Sequence, residues 1–163
     1  MTRRLLSILF LAGLLPFWGC DSNSDPGSQN YTRVVITEVN IEAWPIREPG
    51  GDRWDSFPTA DPDLYWVLVD SGGQLLHTTE DDDAPNVGDN DIGPQWITNL
   101  QFTGFNRTLK FEIWDSDSDE DDYMGETETF SLQTFADQGY RTFASLENGD
   151  GSVIVTIRLR WER

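Results

Sequence analysis

The chain has 163 residues and a formal charge of −18, because 29 acidic residues are opposed by 11 basic residues, with one histidine. A charge of this sign repels phosphate groups, so nucleic acid and anionic membrane surfaces are excluded as general partners. With one cysteine and one histidine, the chain can form neither a zinc cluster nor a disulfide scaffold on its own. Hydrophobic residues make up 37% of the sequence and aromatic residues 12%, which is enough for one folded domain.

Residues 1–19 have the anatomy of a secretory signal peptide. Arg3 and Arg4 form a positively charged start, and residues 5–15 form an apolar run. This run is shorter than the roughly 18 residues that a membrane-spanning helix needs. Residues 1–19 are therefore predicted to be removed, which would make the mature protein more acidic.

The end of this segment carries the only cysteine. A small residue before a cysteine, here Gly19-Cys20, resembles the bacterial lipobox, although Phe17 and Trp18 depart from its usual pattern. The resemblance implies lipid attachment at Cys20 and a membrane anchor at the bacterial cell envelope, in the outer membrane or at the cell surface. A plain signal peptide and a secreted protein are the alternative. Residues 20–32 are polar, with proline and glycine, and indicate a flexible tether.

From Arg33 onward, apolar and polar residues alternate with a period of two, which is typical of strands with one buried face. In the first strand, Val35, Val39 and Ile41 are predicted to share a face. Residues 33–163 are predicted to form an all-β, eight-stranded antiparallel β-sandwich. Its strands are predicted at residues 35–43, 64–69, 74–79, 96–102, 109–114, 126–132, 140–146 and 153–161. The segment 64–69 is apolar on both faces, which places it near the middle of a sheet.

More than half of the acidic residues lie in three predicted loops, which are loop A (residues 50–63), loop B (residues 80–91) and loop C (residues 115–124). If each strand crosses the sandwich once, two strands separate successive acidic loops, so all three lie at one end. Like charges 4 Å apart in water repel by about 1 kcal/mol. Calcium, which binds several carboxylate and carbonyl oxygens, would relieve this repulsion, and a solvated acidic surface is the alternative.

Loops A and C also carry the motifs of a known family. Loop C begins with Trp114-Asp115-Ser116-Asp117 and closes on Asp122-Tyr123-Met124-Gly125, and loop A contains Asp61-Pro62-Asp63-Leu64-Tyr65 before a predicted strand. With Pro94-Gln95-Trp96 at the start of another strand, these motifs resemble the C2 domain, an eight-stranded calcium-binding β-sandwich. The resemblance covers residues 33–163.

The C2 resemblance implies a set of calcium ligands by matching positions. Loop A would supply Asp55, together with either Asp61, which precedes proline as in the family, or Asp63, which lies nearest the strand. Loop C would supply three ligands, which are Asp115, Asp117 and Asp122. Two further residues of loop C, Asp119 and Asp121, are candidates for binding a second ion. The spacing of Asp115, Asp117, Asp119 and Glu126 also matches an EF-hand loop, but Glu120 occupies the position where that loop needs glycine.

The membrane-docking members of the C2 family carry basic residues on a concave strand, whereas residues 96–102 contain no lysine or arginine. The sequence therefore does not assign phospholipid docking to the loops. The candidate apolar contacts for such docking are Trp54, Phe57 and Tyr123. His77 has no second histidine beside it, and an enzyme is not expected. The leading hypothesis is a calcium-binding C2-like module at the envelope. The alternative is a metal-independent envelope module whose acidic end binds a cationic or glycan partner.

Overall fold

The computed structural model describes residues 30–54, 61–88, 91–118 and 120–163. Its regular structure is almost entirely β. Two short helical segments interrupt the strands, a 3-10 helix at Glu80–Asp82 and an α-helix, α1, at Leu132–Asp137. The strands are β1 (Arg33–Ala43), β2 (Leu64–Asp70), β3 (Leu75–Thr78), β4 (Gln95–Phe102), β5 (Thr108–Asp115), β6 (Asp122–Glu126), β7 (Phe130–Ser131), β8 (Phe143–Glu147) and β9 (Ile154–Glu162).

The strands form two antiparallel sheets that pack face to face, which confirms the predicted β-sandwich. One sheet has the order β4–β1–β9–β8. The other has the order β3–β2–β5–β6, and β7 also pairs with β5. The doubly apolar strand β2 lies between β3 and β5, inside its sheet as predicted.

The core lies between the sheets and is centred on aromatic side chains. The fully buried ring of Trp66 packs edge to face against Phe111, at 5.3 Å between centroids, and against Trp96, at 6.4 Å. Ile36 and Ile41 of β1 close the core from the other sheet. Burying a large apolar side chain of this kind contributes about 1.5–3 kcal/mol. The contact between Trp66 of β2 and Trp96 of β4 joins the two sheets.

Strand β1 departs from simple alternation. Its register against both neighbours shifts between Ile36 and Glu38, which is the mark of a β-bulge. The shift brings Val34 and Ile36 into the same core cluster as Val39 and Ile41. The prediction that Val35 shares this face was wrong, because one extra residue in the strand reverses the alternation.

The predicted strand at residues 126–132 was also wrong, since three elements share that stretch. Strand β6 ends at Glu126, β7 has two residues, and α1 begins at Leu132. The hydroxyl oxygen of Ser131 accepts a hydrogen bond from the amide of Thr134 at 3.4 Å and caps the helix. None of the helices in the described ranges is long and apolar enough to cross a membrane.

The two ends of the domain meet at one pole of the sandwich. Thr32 donates its amide to the carbonyl oxygen of Glu162 at 2.9 Å, and β1 and β9 pair along their length. The ring of Tyr31 packs against Tyr140 at 4.6 Å and against Trp161 at 6.2 Å. Residues 31 and 32, which the composition assigns to the tether, therefore contact the sandwich.

Candidate functional site

The acidic loops meet where β2 begins, β5 ends and β6 begins. In the sheet, Leu64 is the partner of Asp115, and Asp115 is the partner of Asp122. Leu64 also forms an antiparallel bridge with Ala84 of loop B. We call this region the acidic edge and define it by the carboxylates of Asp61, Asp63, Asp91, Asp115, Asp117, Asp121 and Asp122.

Asp115 is the most enclosed residue of the acidic edge, with 0% of its surface exposed. Its Oδ1 atom accepts a hydrogen bond from the amide of Asp63 at 2.7 Å. The amide of Ser116 donates to the carbonyl oxygen of Asp63 at 2.9 Å. A carboxylate removed from water needs hydrogen bonds or positive charge around it. The buried carboxylate of Asp115 therefore stabilises the junction of loops A and C by accepting this hydrogen bond.

Asp63 joins loop B to the same junction. Its Oδ1 atom accepts a hydrogen bond from the amide of Asn86 at 2.6 Å, and Val87 donates its amide to the carbonyl oxygen of Pro62 at 2.8 Å. Asn86 has a φ angle of +54°, in the left-handed region that asparagine tolerates better than most residues. Segments of all three acidic loops therefore come together, as the count of strand crossings predicts.

Asp121 fastens loop C to strand β2. Its Oδ1 atom accepts from the amide of Asp117 at 3.0 Å, and its Oδ2 atom accepts from the hydroxyl of Tyr65 at 2.7 Å. Burial raises the pKa of Tyr65, and its hydrogen bond to the Asp121 carboxylate raises it further. The tyrosine hydroxyl therefore stays protonated and remains a donor. Asp121, a candidate for a second ion, has a structural role that the spacing did not reveal.

Asp61 and Asp91 face each other across Gly88. The amide of Gly88 donates to Oδ2 of Asp91 at 2.8 Å, and the amide of Asp91 donates to the carbonyl oxygen of Gly88 at 2.9 Å. A Cβ atom at Gly88 would lie 3.3 Å from Oδ2 of both aspartates, so the two carboxylates face the same small region. Asp91 was missing from the predicted ligands, because the family motifs lie in loops A and C.

The remaining predicted site residues are distributed as follows. Asp117 is half-buried, and Asp122 is exposed at the first position of β6. Asp55, Asp119, Phe57 and the lipid-attachment residue Cys20 lie outside the described residues.

The EF-hand alternative is contradicted by the secondary structure. Asp115 ends one strand and Glu126 ends another, so strands flank the loop in place of helices. The Glu126 carboxylate instead forms an ion pair with Lys110 and accepts a hydrogen bond from the hydroxyl of Tyr123 at 2.9 Å. The Lys110 ammonium group lowers the pKa of Glu126, and the tyrosine hydroxyl adds to this effect.

The donor chemistry of the acidic edge fits calcium, because its side chains offer oxygen ligands alone. Within the ranges that the structure describes, however, no three aspartate, glutamate, histidine or cysteine side chains form a group that could hold a metal ion. The backbone hydrogen bonds to Asp63, Asp115 and Asp121 bring the loops together without closing a ligand shell.

The apolar residues near the acidic edge differ from those that the sequence suggested. Trp54 is buried, and its Nε1 atom donates to the carbonyl oxygen of Pro45 at 2.6 Å, so it is a packing residue. Tyr123 is 45% exposed. Two isoleucines beside the edge were missed, Ile46 at 51% exposed and Ile92 at 96% exposed. Ile92 follows Asp91 directly and lies in a loop, where no periodic pattern of apolar residues could have predicted it.

His77 belongs to the sandwich and not to the acidic edge. It lies on β3, and its ring centroid is 5.1 Å from that of Trp66. Partial burial lowers its pKa, which favours the neutral ring at physiological pH. This environment supports a packing role.

No family model and no curated protein matches the sequence. The fold is similar to solved C2 domains. One structure, described as a C2 domain, has 14% identity and a TM-score of 0.45, with 80% of this chain and 98% of the other aligned. A C2 domain of plant extended synaptotagmin 1 has 12% identity and a TM-score of 0.48, with 80% and 92% aligned.

Human GIVD cytosolic phospholipase A2 has 16% identity to the chain and a TM-score of 0.49. The alignment covers 80% of this chain and 17% of the phospholipase. At these identities the similarity concerns the fold alone.

Proposed function

We propose that the protein is a calcium-binding module of the bacterial cell envelope, held there through Cys20, and that it binds calcium at the acidic edge. It is a binding module and not an enzyme. The observation that carries the proposal is the meeting of three separate aspartate-bearing loops around the hydrogen bond between Asp63 and Asp115. The aspartate motifs of loops A and C, with their resemblance to C2 calcium loops, support the same site.

The proposed calcium ion is expected to act by reducing the repulsion between carboxylates. Without a cation, the carboxylates of the acidic edge repel one another in a region partly shielded from water, where repulsion exceeds its value in bulk solvent. A divalent cation bound by Asp55, Asp115, Asp117 and Asp122, with either Asp61 or Asp63, would offset part of this charge. Flexible calcium coordination suits ligands spread over loops, whereas magnesium prefers a small, rigid octahedral shell. Calcium binding is therefore expected to order the loops and stabilise the sandwich.

Calorimetric titration tests the proposal. Calcium is expected to bind with a dissociation constant of about 10⁻⁴–10⁻³ M, as in other extracellular modules, and magnesium much more weakly. At a calcium concentration ten times the dissociation constant, the free energy of unfolding rises by about 1.4 kcal/mol. In a domain of this size such a gain raises the melting temperature by about 5 °C. Absence of calcium heat and of any thermal shift would reject the proposal.

Matched variants locate the ion. Asp115→Asn and Asp117→Asn keep the shape of the side chains and remove their charge, so each is expected to weaken calcium binding at least about tenfold. Asp137→Asn makes the same change on the exposed face of α1, outside the acidic edge, and is expected to leave the affinity unchanged. Equal affinity in all three variants would place the ion elsewhere.

A second candidate function, calcium-dependent phospholipid docking, is favoured by the exposed Ile92 and Ile46 beside the acidic edge. Uncompensated carboxylates repel anionic vesicles, so these isoleucines are expected to enter a lipid surface only after cations reduce the negative charge of the edge. Co-sedimentation with phosphatidylserine vesicles, with calcium and with EDTA, measures this. Docking is expected with calcium and is expected to be lost in Ile92→Asp. Calcium binding without vesicle binding would support the calcium module and reject the docking.

A further inference from the structure

Two outermost strands, β3 and β4, face each other along one open side of the sandwich. In the part of the chain that the structure describes, β4 pairs with β1 alone and β3 pairs with β2 alone. A cavity of about 420 Å³ opens between them, and a second of about 220 Å³ continues it. His77 and Leu100 line both cavities. We call this continuous depression the β3–β4 groove.

The groove reaches the hydrogen-bonding edge of β4. Ile97, Thr98 and Asn99 are consecutive residues, and all three line the larger cavity. Successive side chains of a strand point to opposite faces of the sheet, so a cavity that touches three in a row lies along the strand's outer edge. The backbone amides and carbonyls on that side of β4 therefore face the groove.

Strand β4 lacks the charged and proline residues that commonly protect an outer strand, although its register against β1 shifts between Ile97 and Leu100. Its eight residues, Gln95–Phe102, include no charged residue and no proline. Outer strands of natural sheets are commonly protected from pairing by lysine, proline or short length. Ile97 is 79% exposed, and Leu75 on the facing strand is 57% exposed. This edge is suited to pairing with an additional strand.

The charge around the groove selects the partner. The charged side chains that line the larger cavity are the exposed carboxylates of Asp81 and Asp82, in the 3-10 helix. Arg107 lines the smaller cavity, but Asp70 and Gln74 hold it at 2.8 and 2.9 Å. The groove is thus lined by a mixture of apolar and uncharged polar side chains along its length, and it is negative at one end. A second copy of the chain, also at −18, is repelled from this end.

We propose that the β3–β4 groove binds an extended basic peptide, which adds a strand to the outer edge of β4. Main-chain hydrogen bonds to β4 provide affinity, as in other cases of strand addition. A lysine or arginine of the peptide lies against Asp81 and Asp82, and apolar side chains fill the cavities beside His77 and Leu100. This site is separate from the acidic edge and requires no calcium.

Selection from random eight-residue peptides displayed on phage tests the proposal, with the purified protein in EDTA. Enriched peptides are expected to carry lysine or arginine, to alternate β-branched or aromatic residues with polar ones, and to lack proline. The affinity of an enriched peptide is then measured by fluorescence anisotropy. The same peptide with its basic residues replaced by glutamate is expected to bind about tenfold more weakly.

Two variants and two controls place the peptide. Ile97→Lys puts a positive charge on the exposed edge of β4, and Asp81→Asn/Asp82→Asn removes the negative end. Each is expected to weaken peptide binding about fivefold or more. Phe143→Lys is the control for the first, because Phe143 is a 45% exposed apolar residue on the opposite outer strand of the same sheet. Glu128→Gln/Glu147→Gln is the control for the second, because both residues are exposed.

Several outcomes would overturn the proposal. These are the absence of enriched peptides, enrichment of acidic or proline-rich peptides, and binding that Ile97→Lys leaves unchanged. Sedimentation that shows a dimer of the protein alone, abolished by Ile97→Lys, would assign the edge to a second copy. Binding that requires calcium would place the peptide at the acidic edge, whereas peptide binding in EDTA stands even if the calcium proposal fails.

Discussion

Two substitutions of Asp115 separate the contribution of its hydrogen bond to stability from the contribution of its charge. Asp115→Ala removes the acceptor of the 2.7 Å hydrogen bond from the amide of Asp63. Because Asp115 is fully buried, water does not readily replace this acceptor. A buried amide left without a partner costs about 1–3 kcal/mol. Asp115→Asn keeps a carbonyl oxygen at that position and removes one negative charge, so its stability is expected to lie within about 1 kcal/mol of the native chain.

Urea unfolding in EDTA, followed by tryptophan fluorescence, measures both effects. For a domain with a slope of about 2 kcal/mol per molar urea, a loss of about 2 kcal/mol lowers the midpoint by about 1 M. Asp137→Ala, on the exposed face of α1, is the control and is expected to change stability by less than about 0.5 kcal/mol. If Asp115→Ala is as stable as the native chain, or if Asp115→Asn is as unstable as Asp115→Ala, the hydrogen bond to Asp115 does not have the role assigned to it.

Three further predictions concern individual contacts. Tyr65→Phe removes the hydroxyl that fastens loop C, so the Asp117 amide is expected to exchange with deuterium about tenfold faster, and an unchanged rate would contradict this. Trp66→Ala is expected to cost about 3–5 kcal/mol in urea unfolding, since the ring is fully buried, and a loss below about 1 kcal/mol would refute its central role. Lys110 lowers the pKa of Glu126 below its ordinary 4.5, so this pair stabilises the fold above that pH and the effect disappears as acid protonates the carboxylate. Glu126→Gln is expected to flatten the acid side of the stability profile, and an identical profile would exclude the effect.

The sequence predicts the sandwich well where one face of a strand is buried. In β9, Val155, Ile157 and Leu159 alternate with polar residues and all three lie in the core. The same periodicity fails in β1, because a β-bulge between Ile36 and Glu38 is fixed by pairing with two other strands. It also fails at α1, where Ser131 offers a helix cap but six residues are too few to show a helical period.

The sequence predicts which end of the sandwich carries the site, but it does not predict the contacts between the residues of the site. Counting strands places the acidic loops at one end, because antiparallel strands alternate in direction. The bond from Tyr65 to Asp121 joins residues 56 positions apart, and the approach of Asp61 to Gly88 also crosses between loops. Such contacts depend on loop conformation, which residue spacing does not determine.

The pairing of β1 with β9 determines where the acidic edge lies relative to the N-terminal end of the domain. The chain enters beside Thr32 and ends beside Glu162, whereas the far end of β1 lies next to Asp91 of the acidic edge, with Ala43 and Asp91 lining one hollow. Eleven extended residues separate the two poles, a distance of roughly 35 Å. The acidic edge therefore lies at the opposite pole of the sandwich from the point at which the N-terminal segment joins it, about one strand length away.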